Sequence, residues 1–254
     1  MTQREDGSKL WLRYAPLGNI AQNQRSLLRE IRVDGPSPTN RIIERELIQG
    51  LASLLGQTVV PAPTASLVVG TPKNSSIVAG QGWRADLLSL GPEGFLIRTA
   101  AINGQKSIVI ASQGEPGLLY GAFAFLRHIE LGQSVDSLNI SDRPRLRLRL
   151  LNHWDNLDGT IERGYAGRSL WKWDELPDTL SARYADYARA CASVGINGSV
   201  LNNVNADPRI LTSEYLRKVA ALAEVFRPYC IRVFLSANFA APKLIGDLPT
   251  NDPV

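Results

Sequence analysis

The sequence contains few of the residues that build disulfide frameworks and metal sites, since its 254 residues include only 2 cysteines and 2 histidines. Cys191 and Cys230 form no CxxC motif and have no histidine at ligand spacing, which argues against a zinc site and a disulfide scaffold. We expect both to be buried free thiols in a reducing compartment. With His128 and His153 as the only imidazoles, we expect no transition-metal site.

Long apolar runs and familiar catalytic motifs are also missing. No stretch approaches the roughly 20 apolar residues that span a bilayer, and the N-terminus lacks the apolar segment of a signal peptide. We therefore expect no membrane partner and a cytoplasmic location, with a secreted or periplasmic location as the alternative if a native leader precedes this sequence. No GxGxxG follows a predicted strand, and neither GxxxxGK(S/T) nor GxSxG occurs, so nucleotide-binding and serine-hydrolase functions have no residue support.

The composition that remains is typical of a globular protein. Hydrophobic residues make up 44% of the chain and charged residues 20%, at a length that suits one large domain or two smaller ones. Part of the net charge of +4 comes from alternating Arg and Leu over residues 143–150. We interpret this run as part of a strand with one solvent-facing side. Because no nucleic-acid-binding motif accompanies it, we expect no nucleic-acid partner.

Residues 1–140 are predicted to form a small N-terminal α/β domain. Asn103-Gly104 between two β-rich runs is a strong hairpin signal, and helices packed on such a hairpin make a layered α/β domain. The predicted elements are a helix over residues 41–55 with Asn40 as its N-cap, strands over 94–100 and 107–111, and a helix that begins at Glu115.

Residues 141–254 alternate between strand and helix patterns, which indicates parallel strands joined by right-handed crossovers. The predicted elements are strands over residues 145–151, 196–201 and 231–235, a helix over 181–194 and a helix capped by Thr212, with Leu211 and Leu216 as its hydrophobic staple. A (β/α)₈ barrel needs about 250 residues, so this part holds about three βα units. Periodicity alone leaves open a small α/β domain or part of a barrel.

A cluster of amide and aromatic side chains follows each predicted strand: Asn-His-Trp-Asp-Asn at 152–156, Asn-Asn-Val-Asn at 202–205 and Ser-Ala-Asn-Phe at 236–239. The carboxyl ends of parallel strands form the ligand face of such folds, and amides with an indole suit a sugar. The possible residues of this face are His153, Asp155, Asn156, Glu162, Arg163, Asn202, Asn203, Asn205 and Asn238.

Each of these residues also has a structural interpretation. The asparagines are typical of turns, His153 is compatible with a hydrogen-bonded structural histidine, and Trp154 with a core residue. Asp155 and Glu162 could form an acid–base pair, as in glycosidases, but an ion pair between Glu162 and Arg163 explains Glu162 equally well.

The strings NHWDN and LNNVNA, with GLLYGAFAFLRHIELGQ upstream, closely resemble the α-glucuronidases of glycoside hydrolase family 67, and the resemblance covers essentially the whole chain. It implies an N-terminal α/β domain over residues 1–140 and the first three βα units of a TIM (β/α)₈ barrel over 141–254. It also implies an inverting hydrolase that removes 4-O-methyl-D-glucuronic acid, α-1,2-linked to xylose, from xylo-oligosaccharides. Because this chemistry needs only carboxyl groups and water, we expect no metal and no organic cofactor. Trp154 and Val204 match positions that surround the sugar.

The same resemblance places the catalytic carboxylates on later barrel strands. We therefore expect no catalytic residue in this chain and no activity from the chain alone. The expected partners are glucuronoxylan-derived oligosaccharides, and a homodimer is one state considered for the parent protein. The competing hypothesis is a non-catalytic carbohydrate-binding module, or a remnant, that uses the same surface.

Overall fold

The computed structural model describes residues 6–18, 22–205 and 207–246. The chain divides into two compact units, Met1–Arg145 and Leu146–Val254. In the first unit the elements are a 3₁₀ turn at Leu10–Leu12, α1 (Gln22–Leu27), β1 (Glu30–Val33), α2 (Pro38–Leu55), β2 (Val60–Pro61), β3 (Leu67–Gly70), α3 (Ser76–Ala79), α4 (Arg84–Leu90), β4 (Phe95–Ile102), β5 (Gln105–Ala111), α5 (Glu115–Glu130) and β6 (Asn139–Asp142). The division expected after residue 140 falls inside β6, which pairs with β4.

The first unit is built on one mixed sheet of six strands in the order β2-β1-β3-β5-β4-β6. The first four strands in this order, β2, β1, β3 and β5, run parallel to one another, and β4 runs antiparallel to β5 and β6. Helices α2 and α5 pack on each other and on the sheet. Gly50 allows this approach, because a β-carbon there would lie 2.7 Å from Cδ2 of Leu126. None of the helices in the described ranges is long and apolar enough to cross a membrane.

Two local predictions for this unit have different outcomes. The hairpin is confirmed: Ile102 pairs with Gln105, and the turn residues Asn103 and Gly104 have φ values of 50° and 77°. The N-cap prediction is wrong, because α2 begins at Pro38, three residues earlier than expected. Ser37 caps it by accepting a hydrogen bond from the Asn40 N–H, and the Asn40 side chain donates to the Asp34 carbonyl.

The second unit confirms the predicted alternation of strands and helices. Its elements are β7 (Leu150–Asn152), α6 (Ala182–Ser193), β8 (Gly198–Val200), a 3₁₀ turn at Pro208–Leu211, α7 (Ser213–Phe226), a 3₁₀ turn at Arg227–Tyr229, β9 (Arg232–Phe234) and α8 (Ala241–Ile245). The strands form a parallel sheet in the order β7-β8-β9. The predicted α/β class is therefore confirmed.

The strand predicted over residues 145–151 is wrong in most of its length, because β7 begins only at Leu150. Before it, the Asn197 side chain accepts from the Arg149 N–H and donates to the Arg147 carbonyl, both at 2.9 Å. One amide side chain thus satisfies backbone groups that a neighbouring strand would otherwise bind. Leu146 and Leu148 are 68% and 47% exposed, so the alternation does not produce a buried side.

The helix caps of this unit were predicted with mixed success. Ser181 caps α6, accepting from the Arg183 N–H, and Gly195 follows the helix with a φ of 77°. Thr212 precedes α7 but makes no side-chain cap, since its hydroxyl donates to the Arg209 carbonyl. Leu216 is 44% exposed, and its staple contact with Leu211 stays a prediction. Of the two cysteines, Cys191 is buried and Cys230 only partly so, both as free thiols.

Candidate functional site

The candidate site lies at the carboxyl ends of the three parallel strands of the second unit. Three segments leave these ends, which we call the β7 loop (residues 153–181), the β8 loop (201–205) and the β9 loop (235–240). The β7 loop starts in register with the sheet, since the His153 N–H donates to the Val200 carbonyl at 3.0 Å. The predicted clusters therefore share one edge of one sheet.

The β7 loop folds back on itself around Trp154. The Trp154 carbonyl accepts from the Glu162 N–H at 2.8 Å, and Asp155 forms an antiparallel bridge with Ile161. Glu162 reverses the chain with a φ of 58°. The backbone at Trp154 is thereby held by hydrogen bonds, while its side chain stays 39% exposed.

The amide side chains of the β7 and β8 loops bind mostly to protein groups. Asn156 donates to the Glu162 carbonyl at 2.8 Å and to the Thr160 hydroxyl at 2.9 Å. Asn203 donates to Oδ1 of Asn156 at 3.3 Å and more weakly to the Glu162 carbonyl at 3.5 Å. Both amides therefore join loops to each other, which is the structural role that sequence reasoning left open.

The same holds for the link between the β8 and β9 loops. Asn202 is 1% exposed and exchanges two hydrogen bonds of 2.9 Å with the backbone of Ser236. Asn238 accepts from the Ala240 N–H at 2.8 Å and so closes a turn. Asn205 differs, because it is exposed and its side chain makes no hydrogen bond within the described residues. Among the predicted amides of the β8 loop, Asn205 is the one with free hydrogen-bonding capacity toward a sugar.

His153 belongs to a chain of partly buried polar side chains that ends at the buried Ser199. Its Nε2 lies 2.8 Å from the Tyr187 hydroxyl, which lies 2.9 Å from the Ser199 hydroxyl. Its ring also makes an edge contact with Trp171, with ring centroids 5.1 Å apart. Burial lowers the pKa of His153, and the nearby Asp155 carboxylate offsets this only in part. A neutral imidazole in this position supports the interpretation as a structural histidine.

Asp155 and Glu162, the two carboxylates that could form an acid–base pair, lie in different surroundings. Asp155 is 2% exposed and its carboxylate accepts from the Ser169 hydroxyl, which in turn accepts from the Trp171 N–H at 3.0 Å. Glu162 is partly buried, and within the described residues no ion pair joins it to the exposed Arg163. The buried, hydrogen-bonded Asp155 carboxylate therefore anchors the β7 loop.

Sequence reasoning missed three residues that hold the site together: Ser169, Trp171 and Tyr187. Trp171 is 1% exposed and packs against Tyr184, Tyr187 and Phe226. The signal for Tyr187 is present in the sequence, because it lies at helical spacing from Tyr184 and Cys191. No sequence pattern connects Ser169 to Asp155 across fourteen residues. Among the described residues, no cluster of three His, Cys, Asp or Glu side chains could hold a metal ion.

Two family models together match nearly the whole chain. The glycosyl hydrolase family 67 N-terminus matches residues 10–125, and the family 67 middle domain matches residues 128–254. The chain belongs to glycoside hydrolase family 67. This confirms the resemblance found in the NHWDN and LNNVNA strings.

Curated relatives of this family 67 chain are named as α-glucuronidases. Probable alpha-glucuronidase A of Neosartorya fischeri is 38% identical over 257 residues, which is 98% of this chain and 30% of the relative. Alpha-glucuronidase A of Emericella nidulans is 35% identical over 269 residues, with the same coverage of 98% and 30%. The chain therefore spans about 30% of the length of the curated relatives it matches.

Solved structures of other glycosidases share the fold. A family GH115 4-O-methyl-alpha-glucuronidase with specificity for decorated arabinogalactans matches with a TM-score of 0.55 at 17% identity, over 83% of this chain and 28% of that one. A GH138 enzyme targeting pectin rhamnogalacturonan II matches with a TM-score of 0.54 at 14% identity, over 81% and 24%. At this level of identity the likeness concerns the fold alone.

Proposed function

We propose that this family 67 chain forms the N-terminal domain and the first sugar-contacting loops of an α-glucuronidase. The proposed reaction is inverting removal of 4-O-methyl-D-glucuronic acid, α-1,2-linked to xylose, from glucuronoxylan-derived oligosaccharides. The observation that carries the proposal is the presence of two exposed apolar side chains, Trp154 and Val204, on hydrogen-bonded loops at the ends of neighbouring parallel strands. Relatives of 35–38% identity that are named α-glucuronidases support it.

The proposed role of this chain is binding and orientation of the uronic acid. The Trp154 indole covers an apolar face of the pyranose ring, and Val204 contacts its 4-O-methyl group. Asn205, exposed on the same loop as Val204, is available to sugar hydroxyls. Three parallel βα units with their ligand at the carboxyl ends of the strands are compatible with the first part of a (β/α)₈ barrel.

Inverting hydrolysis needs two carboxyl groups about 6.5–9.5 Å apart, one to protonate the leaving oxygen and one to activate water. We do not assign these roles to Asp155, which is buried and bound to Ser169, or to Glu162. The resemblance to family 67 places the acid and the base on later barrel strands. In this proposal the chain supplies the sugar-binding surface, and the remainder of an α-glucuronidase supplies proton transfer.

The experiment compares two proteins on one substrate, an aldouronic acid that carries α-1,2-linked 4-O-methylglucuronate. We expect the whole gene product that contains this chain to release 4-O-methylglucuronate, with inversion seen by NMR of the first-formed anomer. We expect the 254-residue protein to release none. Absence of release by the gene product contradicts the proposed activity, and rapid release by the 254-residue protein contradicts the location of the acid and base.

A second candidate function is carbohydrate binding without catalysis. The observation in its favour is that the predicted carboxylate of the site, Asp155, is withdrawn from the surface while Trp154 stays exposed. Isothermal titration of the 254-residue protein with the same aldouronic acid measures this binding directly. Binding by the gene product without any hydrolysis would favour this second function.

A further inference from the structure

Asn203 occupies a central place between the two proposed sugar contacts. It directly precedes Val204 in the β8 loop and is itself 5% exposed, so its amide does not serve as a hydroxyl-binding group at the surface. Its backbone N–H donates to the carbonyl of Asp155 at 2.9 Å, and Asp155 directly follows Trp154 in the β7 loop. One hydrogen bond therefore joins the residues adjacent to the two contacts.

The Asn203 side chain adds a bond on each side of this link. Its Oδ1 accepts from the Asn205 N–H at 3.0 Å, which closes a two-residue turn around Val204. Its Nδ2 donates to Oδ1 of Asn156 at 3.3 Å and to the Glu162 carbonyl at 3.5 Å. Glu162 in turn holds the Trp154 carbonyl through its own N–H. The Oδ1 atom of Asn203 thus shapes the turn around Val204, and its Nδ2 group binds the loop that carries Trp154.

We propose that Asn203 is a positioning residue that fixes Val204 relative to Trp154 and thereby sets selectivity for the 4-O-methyl group. The inference deepens the proposed function and depends on it for the identity of the sugar. Apolar recognition of one methyl group depends on close contact, so a displaced Val204 loses the methyl contact first. Contacts to the unmethylated part of the sugar, which other groups supply, change less.

Replacing Asn203 with aspartate tests the accepting and the donating hydrogen bonds of its side chain separately. Asn203→Asp keeps an oxygen for the Asn205 N–H but loses the donor, and its carboxylate then faces two acceptor oxygens, Oδ1 of Asn156 and the Glu162 carbonyl. Asn203→Ser is the uncharged second variant, since serine can form the same local turn but is too short to reach the β7 loop. The matched control is Asn139→Asp, at an exposed position on β6 of the first unit.

The first measurement uses the gene product with methylated and unmethylated aldouronic acids. We expect Asn203→Asp and Asn203→Ser to reduce the preference for the methylated substrate about 10-fold, which is the low end of the discrimination that one methylene provides in an apolar pocket. The loss should be in KM for the methylated substrate, with kcat changed little. Asn139→Asp should retain the original preference. An equal loss on both substrates, or an unchanged preference, overturns the proposal.

The second measurement needs no activity and so remains decisive if the proposed function fails. It uses the 254-residue protein with Leu151→Lys, a charge on the exposed edge strand β7 that opposes self-association. This protein has 5 tryptophans, so its ¹H–¹⁵N spectrum should contain five indole signals, and Trp154→Phe identifies one of them. We expect Asn203→Asp and Asn203→Ser to shift or broaden the Trp154 signal while those of Trp11 and Trp83 stay in place. An unmoved Trp154 signal in both folded variants overturns the positioning role, whatever the substrate is.

Discussion

At the scale of single residues, two tryptophans of the same loop have opposite roles. Trp154 is 39% exposed at the carboxyl end of β7, whereas Trp171 is 1% exposed and packs between α6 and α7 against Tyr187 and Phe226. Large aromatic side chains contribute most of their stabilisation through buried area. The two positions therefore separate the proposed sugar contact from core packing within one segment.

We predict that Trp154→Ala in the gene product lowers kcat/KM by about 10–200-fold, the usual range for a lost apolar contact. Its unfolding free energy should fall much less than for Trp171→Ala, for which we expect a loss of about 3–5 kcal/mol as for other buried aromatic residues. Denaturant unfolding and steady-state kinetics on both variants test the contrast. A Trp154→Ala variant with near-normal kinetics and a large loss of stability would assign Trp154 to the core.

We expect the partly buried His153 to make the stability of the second unit depend on pH. Because burial lowers its pKa, the unfolded chain binds a proton near the ordinary histidine pKa of about 6.5 that the folded chain still excludes. This contribution to stability is complete above about pH 6.5 and is lost as the pH falls toward the lower folded pKa, with a slope of at most about 1.4 kcal/mol per pH unit.

We predict that His153→Gln removes this part of the pH dependence between about pH 7.5 and pH 5, where histidine titrates. Urea unfolding at several pH values measures it through tryptophan fluorescence, since three of the 5 tryptophans lie in the second unit. His128→Gln is the control, because His128 lies in α5 of the first unit, where it is partly buried and its Nε2 lies 2.9 Å from the Ser134 carbonyl oxygen. Parallel pH profiles for the wild type and His153→Gln would contradict the prediction.

The sequence was sufficient to locate the candidate site, but not to predict which of its side chains are buried and which are exposed. Polar clusters after three predicted strands must meet at one sheet edge, so the position of Trp154 and Val204 followed from the pattern. Which amides face outward did not follow, because Asn202 and Asn203 occupy the same turn-like context as the exposed Asn205. Their burial results from contacts between loops that are distant in sequence, such as the one from Asn203 to Asn156.

At the scale of elements, strand β8 needs a glycine at position 198, because side chains of the two adjacent strands fill the space where a β-carbon would lie. A β-carbon on Gly198 would lie 2.2 Å from Cδ2 of Leu150 on β7 and 2.9 Å from Cε2 of Phe234 on β9. The side chains of both adjacent strands therefore close over the central strand at this register. Leu150 itself is 37% exposed, so one of the two obstructing groups can be shortened with little loss of buried area.

We predict that Gly198→Ala lowers the unfolding free energy of the second unit by about 1–3 kcal/mol, as for other insertions into packed cores. Adding Leu150→Ala should recover part of this loss, giving a coupling larger than the about 0.3–0.5 kcal/mol of independent sites. Gly18→Ala is the control, because a β-carbon there meets no atom of the described residues within 4 Å. Additive effects of Gly198→Ala and Leu150→Ala would show that the clash is relieved in another way.

Helices were more predictable than strands in this chain, for a physical reason. The 3.6-residue apolar period of α5 and α6 indicates one continuous buried face in each helix. Helix α5 begins at Glu115 as predicted, and both ends of α6 lie within one residue of the prediction. The Arg and Leu alternation before β7 also has a clean period, but a strand needs a partner for its backbone. Here the Asn197 side chain binds Arg147 and Arg149 instead.

At the scale of the whole molecule, the two units protect their sheet edges to different degrees. The six-stranded sheet of the first unit ends in β2, which has two residues including Pro61, and in β6, which ends at the charged Asp142. Short edges with proline or charge resist pairing with other chains. In the second unit, β7 and β9 each pair only with β8 within the described residues, and Leu151 on β7 is 39% exposed.

We predict that the purified 254-residue protein self-associates through the second unit, while the first unit behaves as a stable domain. Size-exclusion chromatography should show oligomers, and limited proteolysis should leave a fragment that ends near Arg145, where the two units divide. Because a charge on an edge strand opposes edge-to-edge pairing, Leu151→Lys should increase the monomer fraction. Leu88→Lys, at a position 60% exposed on α4 of the first unit, should not.

A 254-residue protein that stays monomeric would contradict both this prediction and the barrel interpretation of the second unit. A monodisperse monomer that is protected from protease throughout residues 146–246, and that unfolds in one cooperative transition, requires a second unit that is stable with three strands. In that case the β7 and β9 edges are satisfied without further strands, and the interpretation of this unit as the first part of a closed barrel fails. The carbohydrate-binding alternative would then become the stronger account of the exposed Trp154 and Val204.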